Sequence, residues 1–354
     1  MFRIGVDGHV LTGKFQGTRT TLSNLLRSLA PKLGNRAKLV VYSDDPREAE
    51  RLLDCPQIEY VDLGGVGSVR RLLHRFPRFF KRDHIDLGIF QYIAPLKGRH
   101  LVFIHDILPL THPQFFPWKV RLRTLIYYTL SIRRAAKVVA VSKYTAEEIT
   151  RRYNLPRERI AIVRNGPSFQ PETYFEPREP AQEKYILTVG RIEPRKNVGL
   201  LAKAFQMADL EGVKLKIVGS FDPEFEKSQI MGSGVEIISG LDDGKLIELY
   251  RKASLFVYPS AAEGFGLPLL DAVLFGLPVI SSDQTSLPEV GGKHATYFNP
   301  TTPDSTALLA NLLRGHFTNR PLPHATPIER QEHAKNFSWD NSAERFVETL
   351  MQEQ

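Results

Sequence analysis

Two carboxylates stand eight positions apart near the end of the chain, Glu263 in a turn built on Gly264 and Gly266, and Asp271 in the apolar segment that follows. An ionised carboxylate offers two acceptor oxygens, so Glu263 can accept from sugar hydroxyls and Asp271 from a ribose hydroxyl pair. A glycine turn lets backbone N–H groups approach a ligand, and a helix N-terminus favours an anion. Gly264, Phe265, Gly266 and Leu267 therefore suit a phosphate cradle. A second group lies in the loop Gly190-Arg191-Ile192-Glu193-Pro194-Arg195-Lys196-Asn197. Arg191 offers a planar fork of donors and Lys196 a point charge, and both would neutralise a departing pyrophosphate. Arg195 is a weaker candidate beside them. His105, followed by Asp106, closes an apolar run. Plain readings stand beside these: a strand-to-helix corner with a capping acid, an unremarkable basic loop, a structural histidine.

The elements that must hold these residues alternate. Residues 255–258 read as the end of a buried strand, 267–275 as a helix stopped by Gly276 and Pro278, and 279–280 as the next strand. Residues 185–189 form a strand before the basic loop, with a helix at 198–208 after it, and 101–104 a strand before His105. Ligands of an open parallel sheet bind at the carboxyl ends of its strands, where all three groups fall. The chain opens with a strand at 2–6, a loop holding Gly8, Gly13, Lys14 and Gly17, and a helix with Leu22, Leu25, Leu26 and Leu29 on one face. The glycine spacing is not G-x-G-x-x-G, although Asp44 or Asp45 ends the second strand where an NAD enzyme keeps its ribose-binding acid. Further strands fall at 86–90, 138–141, 160–163, 214–218 and 235–238. Pro167, Pro171, Pro177 and Pro180 mark a stretch without hydrophobic period, taken as a linker at 167–182. The last helix, 338–352, has Ser338 as cap and Phe346, Val347 and Leu350 as packing face. The expectation is α/β with parallel sheets: a first domain at 1–170, a second at 183–335, and a terminal helix at 336–354.

With 354 residues, 42% of them hydrophobic, the chain has enough for two cores. The one cysteine, Cys55, allows no internal disulfide and fits a reducing compartment. No apolar run nears the roughly 20 residues that cross a bilayer, and Asp7 interrupts the first strand, so a cytoplasmic protein is expected. The net charge of +8 suits phosphorylated substrates, nucleic acid or an anionic membrane. Residues 69–82 set Val69, Leu72, Leu73, Phe76 and Phe80 against Arg70, Arg71, His74, Arg75, Arg78, Lys81 and Arg82, with Pro77 as a break. This segment is either an outer helix packing its apolar side inward or a helix lying on an anionic membrane. Phe115, Phe116 and Trp118 read as core or acceptor contacts, and a basic helix spans 119–134. Metal spacings, a Walker loop, a G-x-S-x-G elbow and a D-x-D triplet do not occur.

The run Ser260-x-x-Glu263-Gly264-Phe265-Gly266-Leu267-Pro268-x-x-Asp271-Ala272 resembles the E-x7-E pair of the retaining glycosyltransferases of family 4, with Asp271 where the family has its second glutamate. The resemblance implies a GT-B fold, two Rossmann-like parallel-sheet domains facing a central cleft. It implies retaining, metal-independent transfer of a hexose from a nucleotide-diphosphate sugar, GDP- or UDP-linked. The acceptor would be a glycan or lipid-linked saccharide, in polysaccharide or glycolipid assembly. Gly17, Gly190, Arg191, Lys196, Glu263, Gly264, Phe265, Gly266, Leu267 and Asp271 would bind the donor, and His105, Glu263, Arg191 and Lys196 would carry catalysis. His105 would face the diphosphate and anomeric carbon. Glu289 matches a segment near the nucleotide, and the last helix would cross back to the first domain. The run from His105 to Pro113 is similar to bacterial mannosyltransferases of polysaccharide assembly. No cofactor beyond the co-substrate, no metal and no nucleic-acid partner is implied, and a peripheral place at the inner face of the membrane, through 69–82, fits a lipid-linked acceptor. Two other readings remain: a glycoside hydrolase using Glu263 and Asp271, and a non-catalytic protein bound to nucleic acid or membrane through its basic helices.

Overall fold

Strands buried on both faces read as continuous apolar runs, and two sets of them build two parallel sheets. The computed structural model describes residues 1–12, 17–178, 183–223, 225–318 and 320–353. Gly13, Lys14 and Pro180, named above, lie outside them. Two compact units divide the chain, Met1–Gly166 with Phe337–Gln354, and Pro167–Asn336. No described helix is long and apolar enough to cross a membrane.

The first unit holds β1 (Phe2–Asp7), β2 (Ala37–Ser43), β3 (Glu59–Asp62), β4 (Leu87–Gln91), β5 (His100–Ile104), β6 (Lys137–Ala140) and β7 (Ile160–Ile162). Their order across the sheet is β3-β2-β1-β4-β5-β6-β7. The second holds β8 (Lys184–Val189), β9 (Val213–Val218), β10 (Val235–Ile238), β11 (Leu255–Tyr258), β12 (Val279–Ser282) and β13 (Thr296–Phe298). Their order is β10-β9-β8-β11-β12-β13. In each sheet the order reverses beside the first strand, between β1 and β4 and between β8 and β11. At such a switch point the connections leave in opposite directions and open a crevice at the strands' carboxyl ends. The crevice of the second sheet is flanked by the loop after Val189 and the loop after Tyr258, which carry the basic and acidic groups read from sequence.

The last helix, Trp339–Met351, is capped by the Ser338 hydroxyl and packs Ala343, Phe346, Val347 and Leu350 into the first unit's core. Residues 167–178 differ from a linker. They join the second unit, with a short helix, Pro171–Phe175, and a buried Tyr174. Its ring tilts against Phe275 at 4.6 Å, a contact that ties the segment to the second unit's interior.

Residues 68–82 also differ from one amphipathic helix. Helical turns at Ser68–Arg70 and Phe76–Arg82 flank a π-helical turn at Arg71–Arg75. Pro77 has no N–H to return to the preceding turn, and a widened turn accommodates that loss. Leu72, Phe76 and Phe79 are buried in a cluster with Tyr42 and Phe90, and Arg71 is buried against Asp7 at 3.4 Å. Leu72, Phe76 and Phe79 are thus consumed by the first unit's own core, while Val69 and Leu73 of the same segment stay exposed.

Phe346 is 1% exposed and meets Phe103 edge-on at 5.0 Å. Phe346→Ala should lower unfolding stability by about 3–5 kcal/mol, as buried aromatic truncations do. A urea midpoint unchanged from wild type would show that the last helix contributes nothing to the fold.

Candidate functional site

Chain direction after β8 decides which cations reach the crevice. Gly190 adopts a positive φ of 148°, a backbone conformation that residues with side chains rarely take, and it lies beside the Lys196 side chain. The next residues stay extended and pair onward: Ile192 N–H donates to Ser220 O at 2.8 Å. Alternation in an extended chain then buries Ile192 and turns its neighbour Arg191 outward. Arg191 accordingly meets Asp222 at 2.7 Å, with its side chain 53% exposed. A 3₁₀ turn at Pro194–Lys196 and a left-handed Asn197 at φ 55° reverse the chain into the helix Val198–Ala208. Asparagine tolerates that conformation better than most residues. The reversal carries Arg195 and Lys196 together toward the loop after β11.

That loop is pinned from behind. The Ser286 hydroxyl donates to Glu263 O at 3.0 Å and Phe265 O at 2.9 Å, and Glu263 N–H donates to Thr285 Oγ1 at 2.9 Å. Gly266 takes φ 107° just before the helix Leu267–Leu274. Glu263 is 7% exposed. Its Oε1 accepts from Lys196 Nζ at 2.6 Å and Tyr258 Oη at 2.9 Å, and its Oε2 from Arg195 Nη1 at 2.9 Å. Lys196 Nζ also reaches Tyr258 Oη at 2.9 Å, and Arg195 bonds Glu193 and the Ala262 carbonyl. Burial pushes the Glu263 carboxyl up, but Lys196 and Arg195 outweigh it and hold it down at about 2. Burial lowers the Lys196 ammonium, and Glu263 opposes that shift. The side chains of Glu263, Lys196 and Arg195 are therefore held against one another with little exposure at the switch point of one sheet.

Lys196 and Glu263, with Gly190 beside them and Gly264, Phe265, Gly266 and Leu267 in the same turn, are brought together. Arg191 stands at the edge of the group: it faces Asp222 at 2.7 Å and lies 3.9 Å from Glu193, which also holds Arg195. Arg195, the weaker candidate from sequence, takes the place beside Glu263. Asp271 is turned elsewhere. It is 3% exposed, and its Oδ1 accepts from Tyr174 Oη at 2.6 Å and Ser168 N–H at 2.9 Å. Burial raises its carboxyl to about 6. The two carboxylates thus answer to separate partners. Glu289 is part-exposed in the short helix Leu287–Gly291. Sequence reading missed Tyr258 and Tyr174. Tyr258 had a signal, an aromatic with a polar tip at a strand's carboxyl end, whereas Tyr174 sits in a stretch with no period.

In the first unit Gly17 is the exposed first residue of the helix Gly17–Leu33. His105 directly follows β5, its Nε2 lies 2.6 Å from Gln91 Oε1, and its ring tilts against Tyr92 at 5.1 Å. Burial lowers its pKa to about 4, so at neutral pH it is a hydrogen-bonding imidazole without charge. Among the described residues no cluster of three or more His, Cys, Asp or Glu is gathered for a metal.

Residues 15–168 match the family model for Glycosyltransferase Family 4, and 169–325 that for Glycosyl transferases group 1. The O-antigen chain mannosyltransferase B of Escherichia coli is 31% identical over 288 residues, 75% of this chain and 74% of that one. The O-antigen chain mannosyltransferase RfbU of Salmonella typhimurium is 30% identical, covering 59% of each chain. The serotype-specific mannosyltransferase WbdA of Escherichia coli is 28% identical over 69% of this chain, which spans only 32% of that longer protein. Among solved structures, the sucrose-phosphate synthase of Thermosynechococcus elongatus superposes with a TM-score of 0.77 at 18% identity, over 99% of both chains. Anabaena Alr3699/HepE, solved with UDP and glucose, gives 0.72 at 18% identity, over 99% of this chain and 100% of that one. These likenesses place the chain in the GT-B fold.

Asp271 makes a separate prediction. Its carboxyl rises from 3.8 to about 6 on folding. Between those values the folded chain keeps a proton that the unfolded chain has released, so this group's stabilising contribution is lost as pH rises. Relative to Asp271→Asn, wild-type stability should fall between pH 4 and pH 7, by up to roughly 3 kcal/mol at 1.36 kcal/mol per unit. Urea midpoints of both proteins at several pH values measure this, and a difference independent of pH would contradict the buried carboxyl.

Proposed function

The chain belongs to glycosyltransferase family 4, the group 1 glycosyltransferases, and from that membership we propose a retaining hexosyltransferase acting on a nucleotide-diphosphate sugar. The observation that carries the reading is the buried Lys196–Glu263 pair at the β8–β11 switch point, joined by Arg195. A donor diphosphate would compete with Glu263 for Lys196, since it offers more negative charge to the same ammonium. Glu263, released in part, could then accept from hydroxyls of the transferred sugar. The N-terminus of the helix Leu267–Leu274 adds partial positive charge at the same end. Arg191, exposed and paired with Asp222, is a second cation that can exchange onto the diphosphate. Asp271, already holding Tyr174 and Ser168, would need to share or exchange those partners to take a ribose.

In this proposal the sugar–phosphate bond loosens as charge builds on the departing diphosphate, and stabilising that charge lowers the barrier most. The acceptor hydroxyl attacks from the same face and gives its proton to the leaving phosphate. Neutral His105 contributes a hydrogen bond rather than a charge. No side chain serves as nucleophile, and side-chain cations take the part that a metal plays in other transferases. The relatives' names, mannosyltransferases of O-antigen chains among them, support mannose as the hexose; in this reading its carrier is GDP or UDP, and the acceptor a glycan or lipid-linked saccharide of a polysaccharide.

Lys196→Ala should lower transfer efficiency by about 10²–10³-fold and abolish the thermal shift given by GDP or UDP. Arg191→Ala should cost less. Glu263→Gln should lose transfer while keeping nucleotide stabilisation, provided circular dichroism confirms a wild-type fold. Wild-type turnover of GDP-mannose and UDP-glucose in folded Lys196→Ala would contradict the donor assignment.

A further inference from the structure

We propose that the helix Trp118–Arg134 is the face by which this protein lies on an anionic lipid bilayer. Of the fourteen large hydrophobic side chains exposed among the described residues, six are on this one helix: Trp118, Leu122, Leu125, Ile126, Tyr127 and Leu130. The others are scattered singly or in pairs, as on ordinary soluble surfaces. Trp118, Leu122, Leu125, Ile126 and Leu130 follow i, i+4, i+7, i+8 and i+12 spacing, which aligns them along one side of the helix. Trp118 is 64% exposed, and Leu122 and Ile126 are each 48% exposed. Contiguous apolar surface of this kind marks an interaction site rather than a solvated face.

Charge identifies the occupant. The seventeen residues of the helix include Lys119, Arg121, Arg123, Arg133 and Arg134 and no aspartate or glutamate. An apolar stripe bordered by cations, with an aromatic at one end, matches the interface of a bilayer bearing anionic headgroups. A second copy of the chain matches it poorly, because packing the face on itself would oppose five cations to five. At 1.5 Å per residue the helix is about 25 Å long, enough to lie along a lipid surface.

The face is fixed before any lipid arrives. Only Thr124, Ser131 and Ile132 of the helix are buried, against the first unit. The Ser131 hydroxyl accepts from Ala94 N–H at 3.0 Å, and the Arg159 guanidinium holds the Ile132 and Arg133 carbonyls at 3.2 and 3.1 Å. Residues 69–82 offer less: Leu72, Phe76 and Phe79 pack inward, and only Val69 and Leu73 of that segment are exposed large apolar side chains.

Co-sedimentation with vesicles tests the inference, comparing one part phosphatidylglycerol in three of phosphatidylcholine with phosphatidylcholine alone, at low and high salt. The protein should bind the anionic vesicles, release at high salt, and lose at least tenfold in partitioning as the double variant Leu122→Glu, Ile126→Glu. The thermal midpoint of that variant should match wild type, because both side chains are already exposed. Equal binding by the variant, or no binding of wild type to anionic vesicles at low salt, overturns the proposal. So does a dimer in light scattering that the variant disperses, since a second copy would then cover the face. Vesicle binding is read without turnover, so its failure leaves the donor chemistry untouched.

Discussion

The second unit is organised around a charge pair that is costly to bury. Taking Lys196 and Glu263 out of water costs several kcal/mol per ion, and their attraction offsets this only when further hydrogen bonds complete both groups. The structure supplies those bonds: Tyr258 reaches both partners, and Arg195 takes the second carboxylate oxygen. Well-packed apolar side chains would give a comparable or better stability at the same place. The pair is therefore poorly explained as a device for stability. Its charges are poised in a low-dielectric site at the ligand edge of the sheet, where an arriving anion meets a cation whose present partner is a carboxylate it can displace.

Topology, more than local sequence, brings the pair together. Lys196 and Glu263 are 67 positions apart, and they meet because β8 and β11 are neighbours in the sheet. The register of Leu255 with Ile186 and Phe256 with Leu187 sets both strand ends level, so each loop starts at the same height. Serine and threonine of the loop after β12 then brace the Glu263 turn from the other side. Three consecutive strand ends thus define one side chain's position, which is why a turn rich in glycine can still be rigid.

The kinds of element and the residue types of the site were legible in the sequence, because both have local signals. Gly264, Gly266, Gly276 and Pro278 punctuate the strand–turn–helix unit, and a basic loop after an apolar strand announces itself. Side-chain direction had no such signal. Arg191 was the expected phosphate ligand, yet the extended pairing of Ile192 with the chain beyond β9 turns it toward Asp222. Arg195 points inward only because Asn197 reverses the chain two residues later. Asp271 was legible as an acid on the right helix, but its partner Tyr174 comes from 97 positions away, in a proline-rich stretch that reads as a connection. At 69–82 the period was legible and the destination of the apolar face was not, since that depended on a pocket lined by Tyr42 and Phe90.

The two sheets share one strand order about their switch points, yet His105 of one and Lys196 of the other are buried in different company, and desolvation treats them differently. His105 is buried with Gln91 as its ring partner, so nothing compensates an imidazolium and the ring stays neutral. Lys196 faces a carboxylate instead, and Glu263 opposes the downward push that burial gives its ammonium. A neutral imidazole suits groups that are read by hydrogen bonds alone, such as hydroxyls, because it has no counter-charge to shed when they bind. A charged edge suits an anion, because the field is already in place and needs no reorganisation as negative charge grows. One topology can thus present two chemistries, and what distinguishes them is whether a buried ionisable group was given an opposite charge.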